Sequence, residues 1–175
     1  MSVGQISGSG EQAMPLVGQD LGGKYVTFFL GTEEYGLPIL AVREIIGMVE
    51  ITPIPQSPAF VRGVINLRGK VIPVVDLWLR FAMSERPYDD RTCIVVTEIA
   101  GVTIGFIVDT VEEVLEIPES QVEPAPRFKT VSGQDRYIAG MGKVGEAVKI
   151  LLDVEKLVVD EEVRAVQEAV ASAGR

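Results

Sequence analysis

Ile54-Pro-Gln-Ser-Pro-Ala-Phe-Val-Arg-Gly-Val-Ile-Asn-Leu-Arg-Gly-Lys-Val-Ile-Pro-Val-Val-Asp-Leu77 is the stretch from which the rest of the chain is best read. Together with Pro53, the prolines Pro55 and Pro58 specify an extended connector without regular pairing. Gly63 to Leu67 and Lys70 to Val75 are apolar and β-branched on either side of Arg68-Gly69. That pattern predicts a β-hairpin with a two-residue turn. Pro73 lacks an N–H, so its strand is expected at an edge or beside a bulge.

Working outward, Lys24 to Leu30 reads as a strand bounded by Gly31, with Tyr35-Gly36-Leu37 after an acidic turn. Ile39, Val42, Ile45 and Ile46 recur at helical spacing and predict a short helix. Thr92 to Ile99 and Val102 to Val108 are strand-like about Ala100-Gly101, and Val111 to Ile117 is open between strand and helix. Glu123 to Phe128 is a second proline connector, and Tyr137 to Val144 with Ala147 to Leu152 reads as a last hairpin. Residues 1–23, with six glycines, three serines and no Lys or Arg, read as a flexible tail. In residues 159–175, Val163, Val166, Val170 and Ala173 share one helical face behind Asp160 as N-cap.

The chain repeats itself. Gly36 to Ile45 lies on Gly105 to Val114, with Gly, Val42/Val111 and Glu44/Glu113 coinciding. Phe60 to Gly63 lies on Tyr137 to Gly140, and 13 residues after each second glycine stand Asp76 and Asp153. Val71 and Val148 also coincide. A duplicated unit of strands predicts a mainly β fold of two small five-stranded barrels, about residues 24–86 and 87–158, sharing a core because each is marginal alone. Short helices and a C-terminal helix over 159–175 complete that expectation.

Composition narrows the chemistry. In 175 residues there are 16 Lys+Arg against 25 Asp+Glu, a net charge of −9 that opposes nucleic-acid binding. There is no histidine, which removes histidine-based triads and most catalytic zinc sites. The single Cys93 excludes an internal disulfide and reads as an inert strand thiol. Gly140-Met-Gly-Lys-Val-Gly145 matches GxGxxG, but the run after it reads as a strand rather than a helix, so it reads as a glycine-rich hairpin. Asp76, Asp109 and Asp153 are carboxylates without a partner base or metal ligand in the sequence; Asp76 and Asp153 read as caps. No catalytic residue, cofactor or metal site is expected. Trp78 is open between an exposed anchor and a core residue, and Arg68 between a solvated turn residue and a partner contact. No secretory signal or span of about 20 apolar residues is present, so a cytoplasmic protein is expected.

Over about residues 24–158 the chain resembles the CheW family of chemotaxis adaptors. The resemblance rests on Glu34-Tyr-Gly36, Val42-Arg-Glu-Ile45, the Ile54–Leu77 block, Val108-Asp-Thr-Val111, Pro124-Ala-Pro-Arg-Phe128 and Leu151-Leu-Asp-Val154. It implies two SH3-like five-stranded barrels and a non-catalytic adaptor that couples chemoreceptors to the histidine kinase CheA in membrane-associated arrays. It implies a receptor hairpin tip packed between the barrels at Val42, Glu44, Arg68, Gly105, Val111 and Val114. It implies contact with the kinase regulatory domain at Ile51, Val61, Arg62 and Gly63, and leaves room for association with other CheW-like proteins. An adaptor of a parallel pathway, such as type IV pili or development, is the nearest alternative. A small-molecule-binding barrel would need convergent polar groups that the sequence does not suggest.

Overall fold

A computed structural model describes residues 22–81, 83–99, 101–124 and 137–158. Of the tail expected over residues 1–23, residues 1–21 lie outside them, as do most of the second proline connector and the helix expected over 159–175, while Gly23 already belongs to the first strand. The chain begins with β1 (Gly23–Leu30), β2 (Glu33–Pro38), a 3-10 turn (Ile39–Ala41) and β3 (Val42–Gly47). The hairpin β4 (Val61–Leu67) and β5 (Lys70–Asp76) runs into α1 (Leu77–Arg80). Next come β6 (Cys93–Ile99), β7 (Val102–Val108) and β8 (Thr110–Ile117). A second 3-10 turn (Glu119–Gln121), β9 (Val122–Pro124), β10 (Ile138–Val144), β11 (Ala147–Leu152) and α2 (Val154–Val158) follow.

Two sheets form. One has the order β9-β10-β11-β2-β1-β8, the other β3-β6-β7-β5-β4. The fold is therefore mainly β with short helices. Neither sheet closes into a barrel by backbone pairing among the described residues. The sheets also do not follow the repeat boundary near residue 86. The five-stranded sheet takes three strands from the first unit and two from the second, and the six-stranded sheet takes the remainder.

The duplication is visible bond by bond. Asp76 N donates to Phe60 O and Asp153 N donates to Tyr137 O, each at 2.8 Å. Parallel pairs Val74–Gly105 and Leu151–Gly36 join the units at matching positions. Register shifts fall at Arg43 and Glu112, and again at Arg62 and Ala139. These are repeat equivalents, so the bulges are inherited features of the unit.

Apolar residues on both faces of the strands explain the near-continuous hydrophobic runs. In β6, Val95 faces the core shared by the sheets, while Ile94 and Val96 face the inside of the five-stranded sheet. In β7, Phe106 and Ile107 divide in the same way. The shared core joins Phe28, Leu30 and Leu37 of one sheet to Val75, Val95 and Phe106 of the other. The six-stranded sheet wraps a smaller cluster of Tyr25, Ile117 and Leu151.

Four sequence expectations change. Ile39, Val42, Ile45 and Ile46 do not form a helix beyond the 3-10 turn; Val42–Gly47 is a strand with alternating burial, paired to β6. Cross-strand pairing overrides a four-residue apolar spacing, and β-branched residues suit a pleated edge. Val122–Pro124 pairs with β10 where a connector was expected. Thr52 bridges Val64 by two 2.9 Å hydrogen bonds, so the first connector is also partly paired. That bridge turns the polar groups of Val64 outward, away from Pro73. Pro73 sits on an internal strand, but the parallel pairs with β7 begin only at Val74, so no pairing is lost at its nitrogen.

The ion pair between Lys149 of β11 and Glu34 of β2 lies at the junction of the units, with side chains only 7% and 15% exposed. The equivalent positions in the other sheet hold Ile72, fully buried, and Thr103. Removing one partner alone strands a buried charge. We expect Glu34→Ala to destabilise by about 3–5 kcal/mol. We expect Lys149→Ile with Glu34→Thr, which copies the other sheet, to recover most of that loss. Urea unfolding midpoints of the two variants decide it; equal losses would show that the pair is not the unit being broken.

Candidate functional site

The β4–β5 turn sets Arg68. Both turn residues have positive φ, 52° at Arg68 and 86° at Gly69, as a type I′ turn requires. Asn66 Oδ1 accepts from Gly69 N at 2.8 Å and braces the turn. A non-glycine residue in the left-handed region costs on the order of 1–2 kcal/mol, so Arg68 is held there against its preference. Its guanidinium hydrogen-bonds and ion-pairs with Glu44, one of the two contacts at 3.4 Å. Glu44 is on β3, the opposite edge of the same sheet, so side chains join the two edges that backbone pairing leaves open. The Glu44 hydrogen bond raises the Arg68 pKa above its ordinary value. With the arginine side chain 69% exposed, the pair fixes orientation more than it adds stability.

Val42 and Val111 occupy equivalent positions on β3 and β8, the two matching edge strands, and both pack partly against the shared core. Val114 is 52% exposed, and its equivalent Ile45 is 40% exposed. The structure therefore brings Val42, Val111, Val114, Glu44 and Arg68 to edges and rim. Gly105 lies elsewhere: it is buried in β7, and a Cβ there would meet Ile94 Cγ2 at 2.7 Å. The close packing at this glycine is thus internal to the sheet, although the resemblance implied a receptor contact there.

The second group surrounds a groove of about 530 Å³ lined by Met48, Ile51, Ile54, Pro58, Arg62 and Tyr88, among others. Ile51 is half-buried there. Val61 also lines it, but only 5% of Val61 is exposed and it belongs to the shared core. The resemblance implied a partner contact at Val61; beside the bulge at Arg62 the valine instead faces inward. Arg62 stands over the Tyr88 ring at 5.7 Å and pairs with Glu85 at 3.3 Å. Gly63 is required by packing: with φ 142°, an added Cβ would lie 2.1 Å from Thr52 O.

Sequence reasoning did not anticipate the cluster behind this groove. Tyr88 donates to Asp76 Oδ2 at 2.6 Å, and burial with this bond pushes the phenol well above its ordinary pKa. Asp76 also caps α1 through Trp78 N at 2.8 Å. Trp78 is half-buried; its Nε1 donates to Asp109 Oδ1 at 2.5 Å, so it is a bridging residue between the two roles left open. Cys93 donates weakly to Arg91 O at 3.2 Å. Gly140 and Gly142 are strand residues and Gly145 is in the β10–β11 turn, which is no nucleotide cradle. Among the described residues, no three metal-binding side chains come together, and no helix is long and apolar enough to cross a membrane.

Two sheets presenting edge strands, an arginine held in a tight turn and a groove lined largely by apolar residues are features of a protein-binding module. The sequence matches the CheW-like domain over residues 24–162, and the chain belongs to that family. It is 40% identical over 157 residues to the chemotaxis protein CheW of Klebsiella aerogenes, covering 90% of this chain and 94% of that one. It is 32% identical over 155 residues to CheW of Treponema pallidum, covering 86% and 91%. The crystal structure of the scaffolding protein TtCheW from Thermoanaerobacter tengcongensis superposes with a TM-score of 0.69 at 40% identity, covering 75% of this chain and 89% of that one. The protein is thus a non-catalytic adaptor linking chemoreceptors and CheA kinase in chemotaxis signalling.

Gly63→Ala tests the groove wall. The clash with Thr52 O should cost about 2–3 kcal/mol, read as a lower urea midpoint. Unchanged stability would mean that the Thr52–Val64 bridge does not hold the connector.

Proposed function

We propose that the two surfaces divide the partners between them. The receptor's cytoplasmic hairpin tip docks across β3 and β8, against Val42, Val111 and Val114, with Glu44 and Arg68 at the rim. Gly105 contributes only through the strand packing behind it. The kinase regulatory domain docks at the groove, against Ile51 and Arg62, whose wall Val61 and Gly63 shape. The observation that carries the first assignment is the equivalence of the two edges: Val42 and Val111 reach one shared core, and Ile45 and Val114 stay exposed beside them. A helical hairpin offers apolar side chains at helical spacing to edge strands of this kind. The second assignment is supported by an apolar groove with one guanidinium at its margin, suited to orientation as well as contact.

On this reading the module spans about residues 24–158 as duplicated units 24–86 and 87–158, each sheet an SH3-like barrel left open between its edges. It works in the cytoplasm, recruited to receptor arrays, and other CheW-like proteins compete for the same surfaces. Receptor control of the kinase then arises from the difference in contact energy between two arrangements.

Calorimetry against the regulatory domain of the CheA-type kinase from the same cell tests the kinase face. Saturable one-to-one binding is expected, weakened about tenfold or more, 1.4 kcal/mol, by Arg62→Glu and by Ile51→Asp. Because Val61 is in the core, it is a poor site for such a test. No binding by the wild-type protein at tens of micromolar would reject the assignment. For the receptor face, Arg68→Ala should keep the unfolding free energy, from urea titration, within about 0.5 kcal/mol of wild type yet weaken receptor-dependent kinase control. Unchanged control in that variant would reject the role of Arg68.

A further inference from the structure

One residue outside both surfaces touches the network that runs between them. The connection from α1 to β6 carries Arg86, whose side chain is 18% exposed. Its guanidinium stands 4.2 Å over the Trp78 ring and 5.7 Å from the Tyr88 ring. Nε donates to Asp109 Oδ1 at 3.0 Å, a second nitrogen ion-pairs with the same oxygen, and Nη1 reaches Asp76 Oδ2 at 3.5 Å. On one side, Asp76 accepts from Tyr88, whose ring carries Arg62 of the groove. On the other, Asp109 Oδ2 accepts from Gly31 N at 2.7 Å in the β1–β2 turn, and Asp109 N donates to Phe29 O at 3.1 Å. Asp109 is also where the chain crosses from the five-stranded sheet to β8, which bears Val111 and Val114.

The repeat provides an internal comparison. The equivalent of Asp109, at the other crossing, is Leu40, and it is 96% exposed. The equivalent of Asp76 is Asp153, whose Oδ1 accepts from Lys156 N at 3.2 Å and caps α2. One crossing is therefore bound by charge to both sheets, and its counterpart presents an apolar side chain to solvent. The duplication alone does not require this clamp, which is present at one crossing and not at its equivalent.

We propose that Arg86 is a positioning residue that couples the two partner surfaces: it fixes the β7–β8 crossing to the Tyr88–Arg62 wall, so that a tilt of one sheet caused by a partner is felt at the other surface. This rests on the division of surfaces given under Proposed function. The quantity that identifies this coupling is the factor by which one partner changes affinity for the other, which must be the same in both directions.

The experiment measures binding of the kinase regulatory domain and of a receptor tip peptide hairpin to the full chain, each alone and each with the other saturating. Wild type is compared with Arg86→Met, which keeps the packed stem, and Asp109→Asn, which keeps the shape of the carboxylate. Either variant serves if the other does not fold. The wild-type coupling factor should lie in the range of about 5–150. In the variants each single affinity should stay within about twofold while the coupling factor falls to about one, a loss of 1–3 kcal/mol. Coupling that persists in a folded variant overturns the proposal, as does a parallel fall of both single affinities, which marks general damage. Wild-type binding of both partners without coupling overturns this proposal alone. Failure of the wild type to bind one of them overturns the division of surfaces as well.

Discussion

The parallel pairing of Gly105 with Val74, and of Gly36 with Leu151, joins strands that come from different repeat units. Both junctions are tight at the glycine, Gly105 more so than Gly36. A Cβ at Gly105 would press on Ile94 at 2.7 Å, and one at Gly36 would meet Leu151 Cδ2 at 3.1 Å. Because β6 and β7 complete the sheet begun by β3, β4 and β5, neither unit keeps a sheet of its own. Burial then extends through both faces of the strands, which a unit of this size could not achieve by itself. The shared core follows from that exchange.

The exchange also decides what is left outside. Pairing the middle strands across units leaves β3 and β8 as matching edges, with their valines directed partly at the shared core. Edge strands normally need protection from unwanted pairing. Here bulges at Arg43 and Glu112, and the Glu44–Arg68 ion pair across the sheet, interrupt and restrain them. The chain thus has two exposed edges suited to a regulated partner, and a negative net charge that discourages nonspecific attachment to polyanions. The departures from symmetry, Asp109 against Leu40 and Lys149–Glu34 against Ile72–Thr103, give the two ends different chemistry on one scaffold.

Much of the fold was readable. The Arg68-Gly69 turn, the paired strands on each side of it, the cap at Asp76 and its copy at Asp153 all come from local rules and from one repeat. Val42–Gly47 was misread because four apolar residues at helical spacing say nothing about the partner strand that β6 supplies. Glu44 and Arg68 could be named as candidate site residues, since they stand in the stretches that resemble the family. Their direct pairing across a sheet could not be. Gly105 and Val61 were named for contact yet lie inside, because the glycine's constraint comes from Ile94 and the valine's direction from a bulge one residue away.

By itself, the sequence determined that the chain is duplicated, mainly β, lacking histidine chemistry, and built with the motifs of a chemotaxis adaptor. These are properties of composition, period and local turn geometry, which act over a few residues or are copied whole. Only the tertiary structure decided that the sheets are made by exchange between units, that Arg86 joins Asp76 to Asp109 across 33 positions, and which apolar side chains remain exposed. Those outcomes depend on which distant strands meet, and a contact between residues far apart in the chain leaves no periodic trace in the sequence around either one.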